Sequence, residues 1–236
     1  MKNPSENIRT KRKDLTPYLF HYVKGDNPVD ILKKILDEHT LKSSEGYICF
    51  TEAPLTSSKS LFDYMGQYKR PFLRPYGLGV SRDLLIDKGA RNVIYSTQDE
   101  IDRMPESIHW RCLELDVENY DFTWFREWRL PFSSFDFLDI KEDVIVIAPT
   151  REEVDKLVVN VDITPDWDCE PGEYPIINAL IETKKREWRG ISFEDLEIIG
   201  IGDDFVVSGA TKSQKINLKE EIVHYAYDII SGIDTL

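Results

Sequence analysis

In the stretch FREWRLPF, residues 125–132, a glutamate stands among aromatic side chains with an arginine on either side of the Glu-Trp pair. In a strand successive side chains alternate faces, so Glu127 and Arg129 would share one face and Arg126, Trp128 and Leu130 the other. A strand carboxylate set between Phe125 and Trp128 is poorly hydrated and needs either a compensating partner or a task. Two readings stand. In one, Glu127 is a catalytic carboxylate that stabilises positive charge developing on a substrate, and Arg129 either pairs with it or grips a pyrophosphate. In the other, Trp128 is a core anchor and the charges around it are a structural ion pair. The word returns as KREWRG, residues 185–190. There the context predicts a helix over 176–190 that Gly190 ends, with Lys and Arg favouring its last turn, and Glu187 is read as structural.

A second candidate is His21 in YLFHYV, residues 18–23, where alternation sets His21 and Val23 on one face and Phe20 and Tyr22 on the other. A lone histidine in an apolar strand is most often a core or edge residue with one satisfied hydrogen bond. A third is the run GYICFTEAP into SSKSLFDY, which gathers the hydroxyls of Thr51, Ser57, Ser58 and Ser60 near the rings of Tyr47, Phe50 and Tyr64. A helix N-terminus over a stripe of core aromatics explains that run without a ligand.

These residues need elements to hold them. YLFHYV reads as a strand ending at GDNP, where Asp26 or Asn27 caps a helix with Pro28 at its first position and Val29, Leu32, Ile35 and Leu36 at helical spacing. YICFTEA, residues 47–53, reads as a strand stopped by Pro54, followed by a helix with Leu61, Tyr64, Met65 and Tyr68 on one face. Strands are expected at the start of 76–87, at 92–97 and at DVIVIAP, and a capped helix at 150–157. LVVNVDI reads as a strand before the acidic, proline-rich loop 164–176. Beyond it strands are expected at LEIIGIG and DFVVSG and a closing helix at KEEIVHYAYDIISGI.

Composition narrows the chemistry. The longest apolar run, VIVIA, is far short of the roughly 20 residues of a membrane span. The basic, polar start lacks the apolar stretch of a secretion signal, so a cytoplasmic protein is expected. Three cysteines, Cys49, Cys112 and Cys169, without CxxC spacing fit reduced packing thiols and no metal site. With 43 acidic against 30 basic side chains the net charge is −13, which disfavours extended nucleic-acid binding. Nucleotide-hydrolase, Rossmann, zinc-protease and α/β-hydrolase motifs are missing, and the acidic clusters DVENYD and GDD read as turns rather than as a metal nuclease.

Taken in order, a strand with His21, a helix, the strand of EGYICFTEAPLTSSKSLFDY and a late strand with Glu127 resemble the ADP-ribosyltransferase fold. There a first-strand His, a second-strand aromatic and a late-strand Glu line one NAD cleft. The same stretch, with YGLGVSRDLLIDKGARNVIYST and FREWRLP, also resembles the AbiGi-type abortive-infection, phage-resistance family of bacteria. The chain departs from the poly-ADP-ribosylating pattern in having Tyr22 directly after His21 and Ile48 or Cys49 where a second-strand Tyr stands, so that Tyr47 or Phe50 would supply that ring.

The resemblance implies an α+β fold with a split sheet of short strands and flanking helices. A leader at 1–15, an ADP-ribosyltransferase-like domain at 16–164 and a C-terminal α/β extension at 165–236 are expected. NAD would be the substrate, without a metal. Glu127 and His21 would be catalytic, and His21, Tyr22, Phe50, Thr51, Ser60, Tyr64 and Arg129 would bind NAD. The acceptor would be an unidentified macromolecule, and a protein partner from the same defence system is expected. The alternative is a non-catalytic antitoxin or sensor that kept the fold and binds a protein.

Overall fold

The computed structural model describes residues 15–68, 73–116, 121–168 and 176–198. The fold is α+β, built on a seven-stranded mixed sheet. Its strands are β1 (Tyr18–Tyr22), β3 (Ile48–Thr51), β4 (Gly77–Ser81), β5 (Arg91–Asn92), β8 (Glu127–Leu130), β10 (Val144–Ala148) and β13 (Arg189–Ser192), in the spatial order β13-β10-β4-β1-β3-β8-β5. All neighbours run antiparallel except β10 and β13. Short pairs β2 (Thr40–Lys42) with β9 (Ser134–Asp136), and β6 (Ile94–Ser96) with β7 (Cys112–Glu114), lie outside this sheet.

Both faces of the sheet are covered, as the apolar run of β10 requires: Val144, Val146 and Ala148 enter one core, and Ile145 and Ile147 the other. On the first face α1 (Pro28–Glu38), α3 (Arg82–Asp87) and α5 (Arg151–Val158) contribute Leu32, Leu36, Leu85, Val154 and Val158. On the second, α2 (Leu55–Met65) and α6 (Phe193–Ile198) contribute Leu55, Phe62, Phe193 and Leu196. Pro28 opens α1 as expected. Thr150 caps α5 in a reciprocal box with Glu153.

Three expectations are corrected. The buried face of α2 is Leu55, Ser58 and Phe62, while Tyr64 and Tyr68 point to solvent with their hydroxyls 2.7 Å apart. The small Ser58 lets the helix close on Tyr22, whose ring meets Phe62 edge-on at 4.8 Å. The helix expected over 176–190 is instead β12 (Ile176–Arg186), paired antiparallel with β11 (Val159–Asp168), and then β13. The alternating β-branched residues Val159, Val161 and Ile163 of β11 give this segment a ladder partner that overrides the helical preference of Ala, Leu, Glu and Lys. Gly190 therefore ends no helix. It sits in β13, where a Cβ would lie 2.5 Å from Val154 Cγ1, so its lack of a side chain lets α5 pack closely on the strand. Finally, the start of LEIIGIG is helical because Ser192 and Asp195 cap it reciprocally: Asp195 N–H donates to Ser192 Oγ at 2.9 Å and Ser192 N–H to Asp195 Oδ2 at 3.2 Å.

The strand β13, from beyond residue 164, is thus an edge strand of the main sheet itself. The leader through residue 14, the strand expected at DFVVSG and the closing helix lie outside the described residues. Among the described residues, no helix is long and apolar enough to cross a membrane.

Candidate functional site

The sheet is joined at its middle by a single residue pair. Between β1 and β3 only Phe20 and Thr51 are in register, whereas β1 and β4 pair over five residues and β3 and β8 over four. Past that pair the strands part. Val23 stays with β4, its N–H donating to Tyr76 O at 2.9 Å, while Ile48 and Cys49 follow β8 opposite Leu130 and Arg129. His21 spans the opening: its Nδ1 lies 2.8 Å from Cys49 O, in place of a ladder bond. A carbonyl only accepts, so Nδ1 carries the proton and Nε2 is the acceptor of the neutral ring. Burial lowers the pKa of His21, the hydrogen bond to Cys49 opposes that, and Lys24 adds to it; the imidazole is held toward its neutral form.

Glu127 opens β8 opposite Thr51. Arg126 before it turns through φ 50°, a left-handed conformation fixed by two neighbours. The Thr51 hydroxyl donates to Phe125 O, and Glu52 N–H donates to Arg126 O at 3.1 Å. The turn starts the strand at Glu127 rather than at Phe125. From there alternation holds as expected: Trp128 and Leu130 enter the first core, and Glu127 and Arg129 share the other face.

Arg129 is almost fully buried, with Nε and Nη1 both hydrogen-bonded. Its Nε donates to Glu127 Oε1 at 2.8 Å, its Nη1 to Trp110 O at 2.7 Å and Cys112 O at 3.1 Å, and its guanidinium lies 4.3 Å from the Tyr47 ring centre. Of the two roles open to it, the structure shows the ion pair, and Arg129 is not part of the cavity wall. The contact with Glu127 runs from Nε to Oε1, while Nη1 on the other edge of the guanidinium is aimed at the two carbonyls. Cys49 lies beside the same carboxylate, and its thiol pKa is pushed up to about 12, chiefly by burial and then by the Glu127 charge. It is a protonated thiol at neutral pH.

The opening between β1 and β3 is a cavity of about 600 Å³, a size suited to a small ligand. Of the residues expected to form a site, His21, Tyr22 and Glu127 line it. His21 belongs to the face of Leu19 and Val23 and Glu127 to the opposite face, so the two reach one cavity only because the sheet is parted there. At the level of Phe20, Thr51 and Glu127, where the strands are still paired, β1 and β8 are two strand spacings apart, roughly 10 Å.

The other expected residues have different places. Phe50 is buried in the core with its ring edge-on to His21 at 5.8 Å. Thr51 is buried and spends its hydroxyl on Phe125 O and Ala53 N. Ser60 is exposed and bonds Ser57 O, and Tyr64 is exposed beside Tyr68. None of these four forms the cavity wall.

Cys49, Lys24, Lys42, Phe122 and Phe125 form it instead. Only the long-range register brings them together. A buried carboxylate not singled out from the sequence is Glu52 at the end of an apolar strand, which accepts from Arg82 Nε at 3.1 Å and Trp128 Nε1 at 3.2 Å, with Arg126 Nη2 at 3.6 Å. That cluster anchors the turn leading into Glu127. Among the described residues no three His, Cys, Asp or Glu side chains are grouped to hold a metal ion.

No protein-family model, curated protein or solved structure matches this chain. Its chemistry has to be read from the cavity. The wall offers the carboxylate of Glu127 held by an arginine, a second carboxylate at Glu45, a neutral imidazole whose Nε2 is an acceptor, and a group of aromatic rings.

Proposed function

We propose that this cavity binds NAD and that the protein cleaves its bond between ribose and nicotinamide, passing ADP-ribose to water or to a macromolecular acceptor. The observation that carries this reading is that Glu127 and His21, from β8 and β1, meet in one cavity at the parting of the sheet. Breaking the glycosidic bond builds positive charge on the ribose, and a carboxylate at the sugar face stabilises it. Glu127 supplies that charge. Nε2 of neutral His21 accepts a ribose hydroxyl and fixes the ring.

Two further features fit nicotinamide. Phe20, Tyr22, Phe122 and Phe125 offer aromatic surface for a cationic ring. Peptide groups along a paired strand alternate in direction, and because Val23 N–H points to β4, the N–H and C=O of Tyr22 point to the parting with β3. They match the acceptor and donors of a carboxamide. Strands β1, β3 and β8, which carry His21, Phe50 and Glu127, are neighbours in the sheet.

The test is nicotinamide release from NAD by the purified protein and by Glu127→Gln. A loss of 100-fold or more, on the order of a transition-state charge interaction, is expected in the variant. Equal release from both proteins would sink the catalytic role. A second reading has one observation in its favour: the Arg129 contact offsets the charge of Glu127. A non-catalytic member of a defence system that binds a protein partner would show this pair without turnover. Calorimetry in which neither NAD nor ADP-ribose binds, with a co-purifying protein present, would favour it.

A further inference from the structure

Alternation puts Tyr47, Cys49 and Thr51 on one face of β3 and its lead-in, the same face on which β8 carries Glu127 and Arg129. Each side chain of this row supports a neighbour. The Thr51 hydroxyl donates to Phe125 O and fixes the turn into Glu127, and the Tyr47 ring centre lies 4.3 Å from the Arg129 guanidinium. Cys49 stands between these two, and of the three it alone reaches the cavity wall.

Cys49 is also the residue that meets both candidate catalytic groups. Its backbone O accepts from His21 Nδ1 at 2.8 Å, which sets the tautomer in which Nε2 is the acceptor. Its side chain lies diagonally across the ladder from Glu127, since Cys49 is opposite Arg129 and Thr51 opposite Glu127. Diagonal neighbours have Cβ atoms about 7 Å apart, a gap that the long glutamate side chain closes. Arg129 holds the Glu127 carboxylate by a single contact, Nε to Oε1 at 2.8 Å. A carboxylate pinned at one oxygen turns about that contact, and a second donor stops it.

A thiol beside a carboxylate serves as a nucleophile or as a donor. Here burial and then the Glu127 charge keep the proton on sulfur. A protonated thiol is a poor nucleophile and an S–H donor.

We infer that Cys49 is a positioning residue of this site: its S–H donates to the Glu127 carboxylate and, with Arg129 Nε, fixes the orientation in which that carboxylate faces the cavity. The consequence for catalysis rests on the reading above, in which Glu127 stabilises charge developing on the ribose. A carboxylate set in place beforehand needs no reorganisation as that charge appears. Cys49 forms no covalent bond to the substrate. Its main chain orients His21 and its side chain orients Glu127, so the two groups share one support on β3.

The contact is tested by infrared spectroscopy of the full chain, because S–H stretching falls in a region clear of other protein bands. The chain has three cysteines, so the Cys49 band is the difference between the wild type and Cys49→Ala. It should lie at lower wavenumber than a thiol without an acceptor, and the same difference taken in Glu127→Gln should move up toward that position. A band at the same wavenumber with and without the Glu127 charge would overturn the assignment.

The catalytic consequence is read from nicotinamide release. Cys49→Ala should lower kcat about tenfold with KM unchanged, and Cys49→Ser, of nearly the same size and still a donor, should restore most of the rate. Both are expected to keep the wild-type thermal midpoint. An unchanged kcat in Cys49→Ala, or a Cys49→Ser rate as low as that of Cys49→Ala, would remove the positioning role. Failure of the NAD-cleavage reading shows separately: a Glu127-dependent S–H band in a protein that releases no nicotinamide keeps the contact and removes the reaction.

Discussion

Removing the Arg129 side chain should destabilise the fold far more than loss of a surface charge does. The Arg129 and Glu127 side chains are 7% and 11% exposed, so the pair is close to the buried limit and is not a screened surface contact worth about 0–1 kcal/mol. Arg129→Ala leaves a poorly hydrated carboxylate and withdraws the donors from Trp110 O and Cys112 O. Loss of one partner from a buried pair costs about 3–5 kcal/mol.

Glu127→Gln keeps an oxygen to accept from Nε and removes only the charge, so a cost of about 1–2 kcal/mol is expected. In the double variant the carboxylate that Arg129→Ala strands is neutral. The double loss should therefore fall short of the sum by roughly 2 kcal/mol. Urea denaturation followed by fluorescence of the five tryptophans measures all four corners of the cycle. A cost below about 1 kcal/mol for Arg129→Ala, or additivity within about 0.5 kcal/mol, would refute the claim that this is one coupled, buried unit.

His21 makes stability depend on pH. Its folded pKa lies below the unfolded value of about 6.5, so the unfolded chain takes up the proton first; the stabilisation is whole above that value and is lost as pH falls through the folded pKa, at no more than about 1.4 kcal/mol per pH unit. Denaturation midpoints between pH 8 and 5 should show His21→Asn, which keeps a donor for Cys49 O but cannot titrate, with a flatter profile than the wild type; identical slopes would remove His21 as the cause. Gly190→Ala should lower stability by about 1–3 kcal/mol, because its Cβ meets Val154 Cγ1 at 2.5 Å and Val158 Cγ1 at 3.0 Å, and a thermal midpoint equal to wild type would show that α5 can shift aside without cost.

The elements that local sequence alone specifies were legible. The β1 strand, the Pro28-led helix, the run VIVIA and the capped helix after Thr150 all carry their signals within a few residues. What failed was decided at long range. The 176–190 segment has helical composition, and only its pairing with β11 makes it a strand. The face of α2 was misread because its best aromatic stripe, Tyr64 and Tyr68, is the solvent side, whereas Ser58 faces Tyr22. In the site, His21, Tyr22 and Glu127 were legible as residue types in apolar strands. That they share a cavity depends on where β1 leaves β3, and no spacing along the chain encodes that. Lys24 and Cys49 were invisible for the same reason.

The two Glu-Trp-Arg words show what local sequence does and does not decide. In both, the tryptophan is buried in the same core: Trp128 from β8, and Trp188 between β12 and β13, with its ring 5.6 Å from those of His39 and Phe137. Each is a large apolar ring beside a strand, and burial follows from that alone. The glutamates part company. Glu187 is exposed and contributes its backbone N–H to Val158 O at 2.7 Å. Glu127 falls opposite Thr51, at the one point where the sheet is held before it opens, and its side chain looks into the opening. Arg129 follows the same logic, since its carbonyl partners at Trp110 and Cys112 belong to a separate segment that packs there, whereas Arg189 bonds Glu142 O. An identical tetrapeptide thus gives a candidate catalytic carboxylate in one setting and a solvent-exposed turn in the other. The difference lies in strand register, so the residue to mutate first is chosen by its place beside the parted strands and not by its word.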